Sequence, residues 1–120
     1  RNRYTIDLSI SDEFPRKLSE RTGRELVRIV QEAMSNVRRH AAPSHARVHL
    51  GIDGETAWVE VSDDGRGFDP ELSEGGVGMS AMKRRAQDLG GTLRITSQPG
   101  EGSRVRFEIP LERLTEADTD

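Results

Sequence analysis

Asp63 is the residue whose setting asks most plainly for chemistry. It closes the run Ala57 to Asp63, in which Val59 and Val61 alternate with Trp58, Glu60 and Ser62. Strand periodicity therefore puts its carboxylate on the apolar face beside the two valines. A carboxylate set there without a donor costs several kcal/mol or gives up its charge. The neighbouring sequence offers no evident donor, and a ligand could supply one. Two glycine loops flank the position, DDGRGF over residues 63–68 and GGVGM over residues 75–79. A second group is Glu32, Asn36, Arg39 and His40, spaced i, i+4, i+7 and i+8, which stacks them on one side of a helix. A carboxylate and an amide oxygen suit a hard cation such as Mg²⁺, which takes few protein ligands and keeps waters and phosphate oxygens, and a guanidinium pairs with phosphate. Charged residues at this spacing also describe an ordinary solvated helix face, so the group gains its meaning from being coupled to Asp63.

Composition narrows what such residues could serve. With 120 residues, 32% hydrophobic and 32% charged, the chain suits a single domain whose core is large enough to fold alone. A net charge of -3 and 4% aromatic residues argue against wrapping or stacking on nucleic acid. No apolar run reaches membrane-spanning length, no signal peptide is evident, and the absence of cysteine removes thiol chemistry, so a cytoplasmic location is expected. The start at Arg1 and the acidic ending LERLTEADTD suggest a piece of something longer, with a domain over 1–111 and a frayed tail over 112–120.

The elements that must position these groups read as follows. Tyr4 to Ile10 alternates weakly through Ile6, Leu8 and Ile10 as an edge strand, and SDEFPRKLSE is irregular. Thr22 with Glu25 three residues on forms a capping box, opening a helix with the apolar stripe Leu26, Ile29, Val30, Ala33, Val37 and Ala41 until Pro43 stops it. Arg47 to Ile52 alternates with Val48, Leu50 and Ile52 inward, and Asp53-Gly54 supplies the hairpin turn into the strand ending at Asp63. Met79, Met82, Ala86 and Leu89 make the stripe of a second helix, closed by Gly90-Gly91. Thr92 to Ser97 and Arg104 to Ile109 are final strands joined by QPGEGS. The order implies an α/β two-layer sandwich with a mixed sheet and helices on one face.

Other nucleotide and metal signatures fail on spacing. A dinucleotide fingerprint needs its glycines to run straight into a helix, whereas Gly65 and Gly67 are followed by Pro70 and further loop residues before Met79. A Walker-type loop needs Gly-Lys-Ser/Thr, which is absent. His45 and His49 lie along one strand, where four residues span about 13 Å at ~3.3 Å each, too far for one ion.

QEAMSNVRRHA, DDGRGF, GGVGMSAMKRRAQDLGG and GEGSRVRFEIP, in that order and spacing, resemble the ATP-binding catalytic domain of bacterial sensor histidine kinases, the Bergerat fold shared with gyrase-type ATPases and heat-shock chaperones. QEAMSNVRRHA and the short loop before GVGM look most like the nitrate/nitrite-sensor and desaturase-thermosensor subclass. The resemblance covers nearly everything from Leu26 to Pro110. It implies ATP and Mg²⁺ as cofactors on a largely antiparallel sheet, with Asn36 as the metal ligand and Glu32 as the catalytic residue that organises water or acts as a base. Arg39 and His40 are implied to line the nucleotide. Asp63, Gly65 and Gly67 would form its DxGxG motif, with Asp63 accepting from the adenine amine. Gly76, Val77, Gly78 and Met79 correspond to its second glycine motif, whose backbone N–H groups approach phosphate. Ser103 stands where the family usually has threonine near the adenine, and residues 68–75 would be a lid over the nucleotide.

The implied reaction is phosphoryl transfer from ATP to a histidine on a separate dimerisation domain, then to a response-regulator aspartate. The acceptor histidine is not among these residues, so the fragment should bind ATP and transfer little. The resemblance also allows the cytoplasmic part of a membrane-anchored sensor. Two alternatives are an anti-sigma-factor-type serine kinase on the same fold and an interaction domain that has lost nucleotide, the latter disfavoured by the intact motif residues.

Overall fold

The alternation read in residues 57–63 organises the whole molecule. In the computed structural model, which describes residues 5–36, 45–66, 76–98 and 100–115, Ala57, Val59 and Val61 are buried and Trp58, Glu60 and Ser62 half-buried on the opposite face. The elements in chain order are β1 (Thr5–Ile10), α1 (Glu20–Asn36), β2 (His45–Asp53), β3 (Thr56–Asp63), α2 (Gly76–Asp88), β4 (Thr92–Ser97), β5 (Ser103–Pro110) and α3 (Leu111–Thr115). The sheet order is β1-β2-β3-β5-β4, with β1 parallel to β2 and every other pair antiparallel. The expected mixed, largely antiparallel sheet with helices on one face is what forms.

Register explains the two faces. The rows Val48–Val61–Val105 and Leu50–Val59–Phe107 run across the sheet under the helices, and Val59, Val61 and Phe107 are all buried. On the open face Trp58 sits opposite Gly51, where a Cβ would come within 2.5 Å of the indole, and Arg106 stacks 4.7 Å from the ring centroid. Arg106 also donates to Glu108 at 2.7 Å and Glu60 at 3.2 Å. The Glu108 bond holds its guanidinium pKa above the usual arginine range, partial burial opposes it, and the Glu60 bond adds to it. Ile6, Leu8 and Ile10 share the helix side, yet are 52%, 65% and 53% exposed, because among the described residues α1 and α2 pack over β2, β3 and β4 and leave β1 at the edge.

Three local expectations change. Helix α1 starts at Glu20, and its cap is Ser19, whose Oγ accepts from the Thr22 N–H at 3.2 Å. Thr22 is itself buried, four residues before Leu26 on the inward stripe, so it packs rather than caps, and Glu25 pairs with Arg85 and Arg28 instead. The β2–β3 turn is Gly54-Glu55 rather than Asp53-Gly54, with Asp53 still paired to Thr56 and Gly54 supplying φ 64°. Leu111–Thr115 fold as α3, with Leu114 fully buried in the cluster of Phe14, Leu26 and Phe107, so residues 112–115 belong to the core-bearing part of the chain. Val37 and Ala41 of the expected stripe lie outside the described residues.

Candidate functional site

The two long helices run antiparallel. Arg85 late in α2 donates to Glu25 early in α1 at 3.0 Å, while Ala33 near the end of α1 and Met82, one turn nearer the start of α2, share one cluster with Ala46, Val61 and Val105. Leu26, Ile29, Ala86 and Leu89 pack instead with Ala57, Val59, Phe107 and Ile109. This ordering puts four termini at one end of the sandwich: the Asn36 end of α1, the Gly76 end of α2, the Asp63 end of β3 and the Ser103 end of β5. Helix α2 opens with Gly76, earlier than the Met79 stripe implied. The second glycine motif therefore forms its first turn, where backbone N–H groups have no intrahelical partner and the helix dipole is positive.

Asp63 shares the face of Val59 and Val61, as alternation requires, but it is half-buried and already has donors within the chain. The Ser103 hydroxyl donates to Oδ2, and the Gly65 N–H donates to Oδ1 at 2.8 Å. The carboxylate thus finds within the chain the donors that the neighbouring sequence did not reveal. Ser103 reaches it because the two residues are directly paired across β3 and β5, a contact between positions 40 apart. An ionised carboxylate has about four lone-pair directions, so two internal donors leave acceptor capacity for a ligand.

The turn after Asp63 is tied on both sides. The Asp64 carboxylate accepts from the His45 N–H at 2.8 Å, and its other oxygen lies 3.3 Å from His45 Nδ1. The Asp64 N–H returns a bond to the His45 carbonyl at 3.1 Å. On the other side, the Gly100 N–H donates to the Arg66 carbonyl. Gly102, with φ 77°, lies so close to Asp63 that a Cβ would overlap the Asp63 carbonyl oxygen. A cavity of about 730 Å³ opens here, lined by His45, Arg47, Asp63, Asp64, Ser103 and Arg104 among others. It wraps the strand ends toward the open face, and its lining includes neither Glu32 nor Asn36.

The expected site residues divide accordingly. Asp63, Gly65 and Ser103 are brought into direct contact. Asn36 is buried at 8% exposure in line with Ala33, and Glu32, one turn before it, is half-buried; both have partners within the chain. Arg39, His40, Gly67 and residues 68–75 lie outside the described residues, as do the side chains of Val77 and Met79. The His45–Asp64 pairing was missed in the sequence, because both residues lie beyond the end of the β2–β3 ladder and only its register reveals them as neighbours.

Comparison with known proteins bears on this arrangement. The pattern of the family described as histidine kinase-, DNA gyrase B-, and HSP90-like ATPase matches residues 22–113. The sensor histidine kinase LiaS of Bacillus subtilis is 38% identical over 87 residues, which are 72% of this chain and 24% of LiaS. The signal transduction histidine-protein kinase/phosphatase DegS of Brevibacillus brevis is 39% identical over 87 residues, 72% of this chain and 22% of DegS. The chain thus spans about a quarter of the length of these curated relatives. Among solved structures, the Erythrobacter litoralis EL346 blue-light activated histidine kinase superposes with a TM-score of 0.79 at 25% identity, covering 94% of this chain and 37% of that one.

Proposed function

This chain belongs to the family of histidine kinase-, DNA gyrase B- and HSP90-like ATPases, and from that membership we propose that it is the ATP-binding catalytic domain of a sensor histidine kinase. It binds ATP with Mg²⁺ and donates the γ-phosphoryl group to a histidine on a separate dimerisation domain, from which the group passes to a response-regulator aspartate. The observation that carries the reading is the gathering, at one end of the sandwich, of the Asp63 carboxylate, the glycine-bearing first turn of α2 and the Asn36 end of α1.

Each group has a task in that reading. Asp63, with acceptor capacity left after Ser103 and Gly65, receives the adenine exocyclic amine; guanine carries a carbonyl there and is disfavoured. The backbone N–H groups of Gly76, Val77, Gly78 and Met79 cradle phosphate oxygens at the positive end of α2. Among the described residues no cluster of three or more His, Asp or Glu could enclose a metal, and one amide and one carboxylate oxygen suit an ion that keeps water and phosphate ligands. Asn36 would hold Mg²⁺, which when bound neutralises charge on the transferring phosphate. Glu32 organises metal-bound water or acts as a base, and Arg39 and His40 line the nucleotide. The domain's contribution is positioning and electrostatics rather than covalent chemistry. The finer placement beside nitrate/nitrite-sensor and desaturase-thermosensor kinases rests on QEAMSNVRRHA and the short connection before GVGM.

Calorimetry with ATP and Mg²⁺ tests the assignment. Loss of a charge-assisted bond of about 1.5–3 kcal/mol should weaken ATP binding by roughly 10- to 150-fold in Asp63→Asn. Asn36→Ala should remove the tightening produced by Mg²⁺. ATP binding of wild-type strength in Asp63→Asn overturns the site.

A further inference from the structure

We propose that Asp64 is a positioning residue that sets the direction of the Asp63 carboxylate and so the purine preference of the site, an inference that rests on the nucleotide reading given above. The β2–β3 ladder ends at the pair Ala46–Asp63, and His45 and Asp64 are the next residues outward on each strand. There the Asp64 N–H meets the His45 carbonyl at 3.1 Å, while the Asp64 side chain takes the His45 backbone N–H at 2.8 Å and faces its imidazole at 3.3 Å. One carboxylate thus extends the ladder by a rung that the chain, turning away, could not make with its backbone alone.

The consequence reaches Asp63 through one peptide unit. The Asp64–Gly65 peptide supplies the N–H that bonds Asp63 Oδ1 at 2.8 Å, so fixing Asp64 against His45 fixes where that donor points. On the far side the Arg66 carbonyl is held by the Gly100 N–H, and Gly102 packs against the Asp63 carbonyl. Asp64–Gly65–Arg66 is therefore a short span pinned at both ends, with the carboxylate that would read the base controlled from its middle. Asp64 is half exposed, with 49% of its side-chain surface accessible, so its substitution leaves the buried core untouched. Once the side chain is gone, the His45 N–H turns to water, only the backbone bond to the His45 carbonyl holds this end, and the Gly65 N–H is held less firmly against Asp63 Oδ1.

The test measures ATP and GTP affinities, each with Mg²⁺, by competition against a fluorescent ATP analogue, alongside urea unfolding. It compares the wild type with Asp63→Asn, Asp64→Ala and Asp64→Asn. Asp64→Ala should weaken ATP by about fivefold while leaving GTP within about twofold, narrowing the preference. Asp64→Asn, whose amide oxygen still accepts from the His45 N–H, should restore the wild-type ratio. Wild-type ATP affinity in Asp64→Ala overturns the proposal while leaving the nucleotide reading standing, and so does an equal loss for ATP and GTP, which would signal general loosening. Failure of the wild type to bind ATP, or of Asp63→Asn to weaken it, removes the nucleotide reading itself and the proposal with it.

Discussion

Among the described residues, the tightest steric constraint beside the candidate site lies at Gly102, and a pair of glycine substitutions isolates it. Gly100 and Gly102 both adopt left-handed backbone, with φ 85° and 77°, and both belong to the connection between β4 and β5. They differ in surroundings. Among the described residues a Cβ at Gly100 meets nothing within 4 Å, whereas one at Gly102 overlaps the Asp63 carbonyl oxygen and approaches the Asp64 Cα to 3.4 Å. Replacing either by alanine adds a left-handed penalty of about 1–2 kcal/mol, and the change in unfolded-chain entropy is the same for both. Only Gly102→Ala must also push backbone against backbone, an overpacking term of roughly 1–3 kcal/mol. The difference between the two variants should therefore be about 1–3 kcal/mol. With a urea slope of about 1–3 kcal/mol/M for a small domain, the two unfolding midpoints should differ by roughly 1 M, Gly102→Ala being the lower. Gly102→Ala should also weaken ATP binding, because the displaced backbone is that of Asp63 and its partner Ser103 is the next residue. Coincident midpoints for the two variants would refute the claim that Gly102 is required by the closeness of β5 to Asp63.

Two further outcomes concern the framework. Ser19→Ala removes the oxygen that accepts from the Thr22 N–H and should destabilise the fold by about 1 kcal/mol, measurable as a lowered urea midpoint with unchanged slope. Leu114→Ala empties a fully buried position under the last short helix and should cost about 2–5 kcal/mol by the same assay, whereas a frayed tail would show no change.

What the sequence revealed follows the range of the forces involved. The bounds of β3 and the facing of Asp63 were legible because strand alternation is set by nearest neighbours. The Ser103 donor to Asp63 was not, since register across the sheet brings it there, and neither was the His45 donor to Asp64, which the outward extension of another strand supplies. The α1 cap was misread because Ser19 and Thr22 both suit a helix start. The inward stripe counted back from Leu26 passes through Thr22, and that signal favours Ser19. Helix α3 escaped notice because two leucines three residues apart, Leu111 and Leu114, give less than one turn of periodicity. Phe14 was hidden for a similar reason, sitting buried in a segment without regular structure.

The chain's single tryptophan offers a practical consequence of the two-sided sheet. Trp58 lies on the face away from both long helices, wedged over Gly51 and beneath Arg106, and five residues along β3 from Asp63, about 17 Å at ~3.3 Å each. Its emission should shift when the strands come apart and stay nearly constant as a ligand fills the helix side, so intrinsic fluorescence gives a readout of denaturation that occupancy does not contaminate.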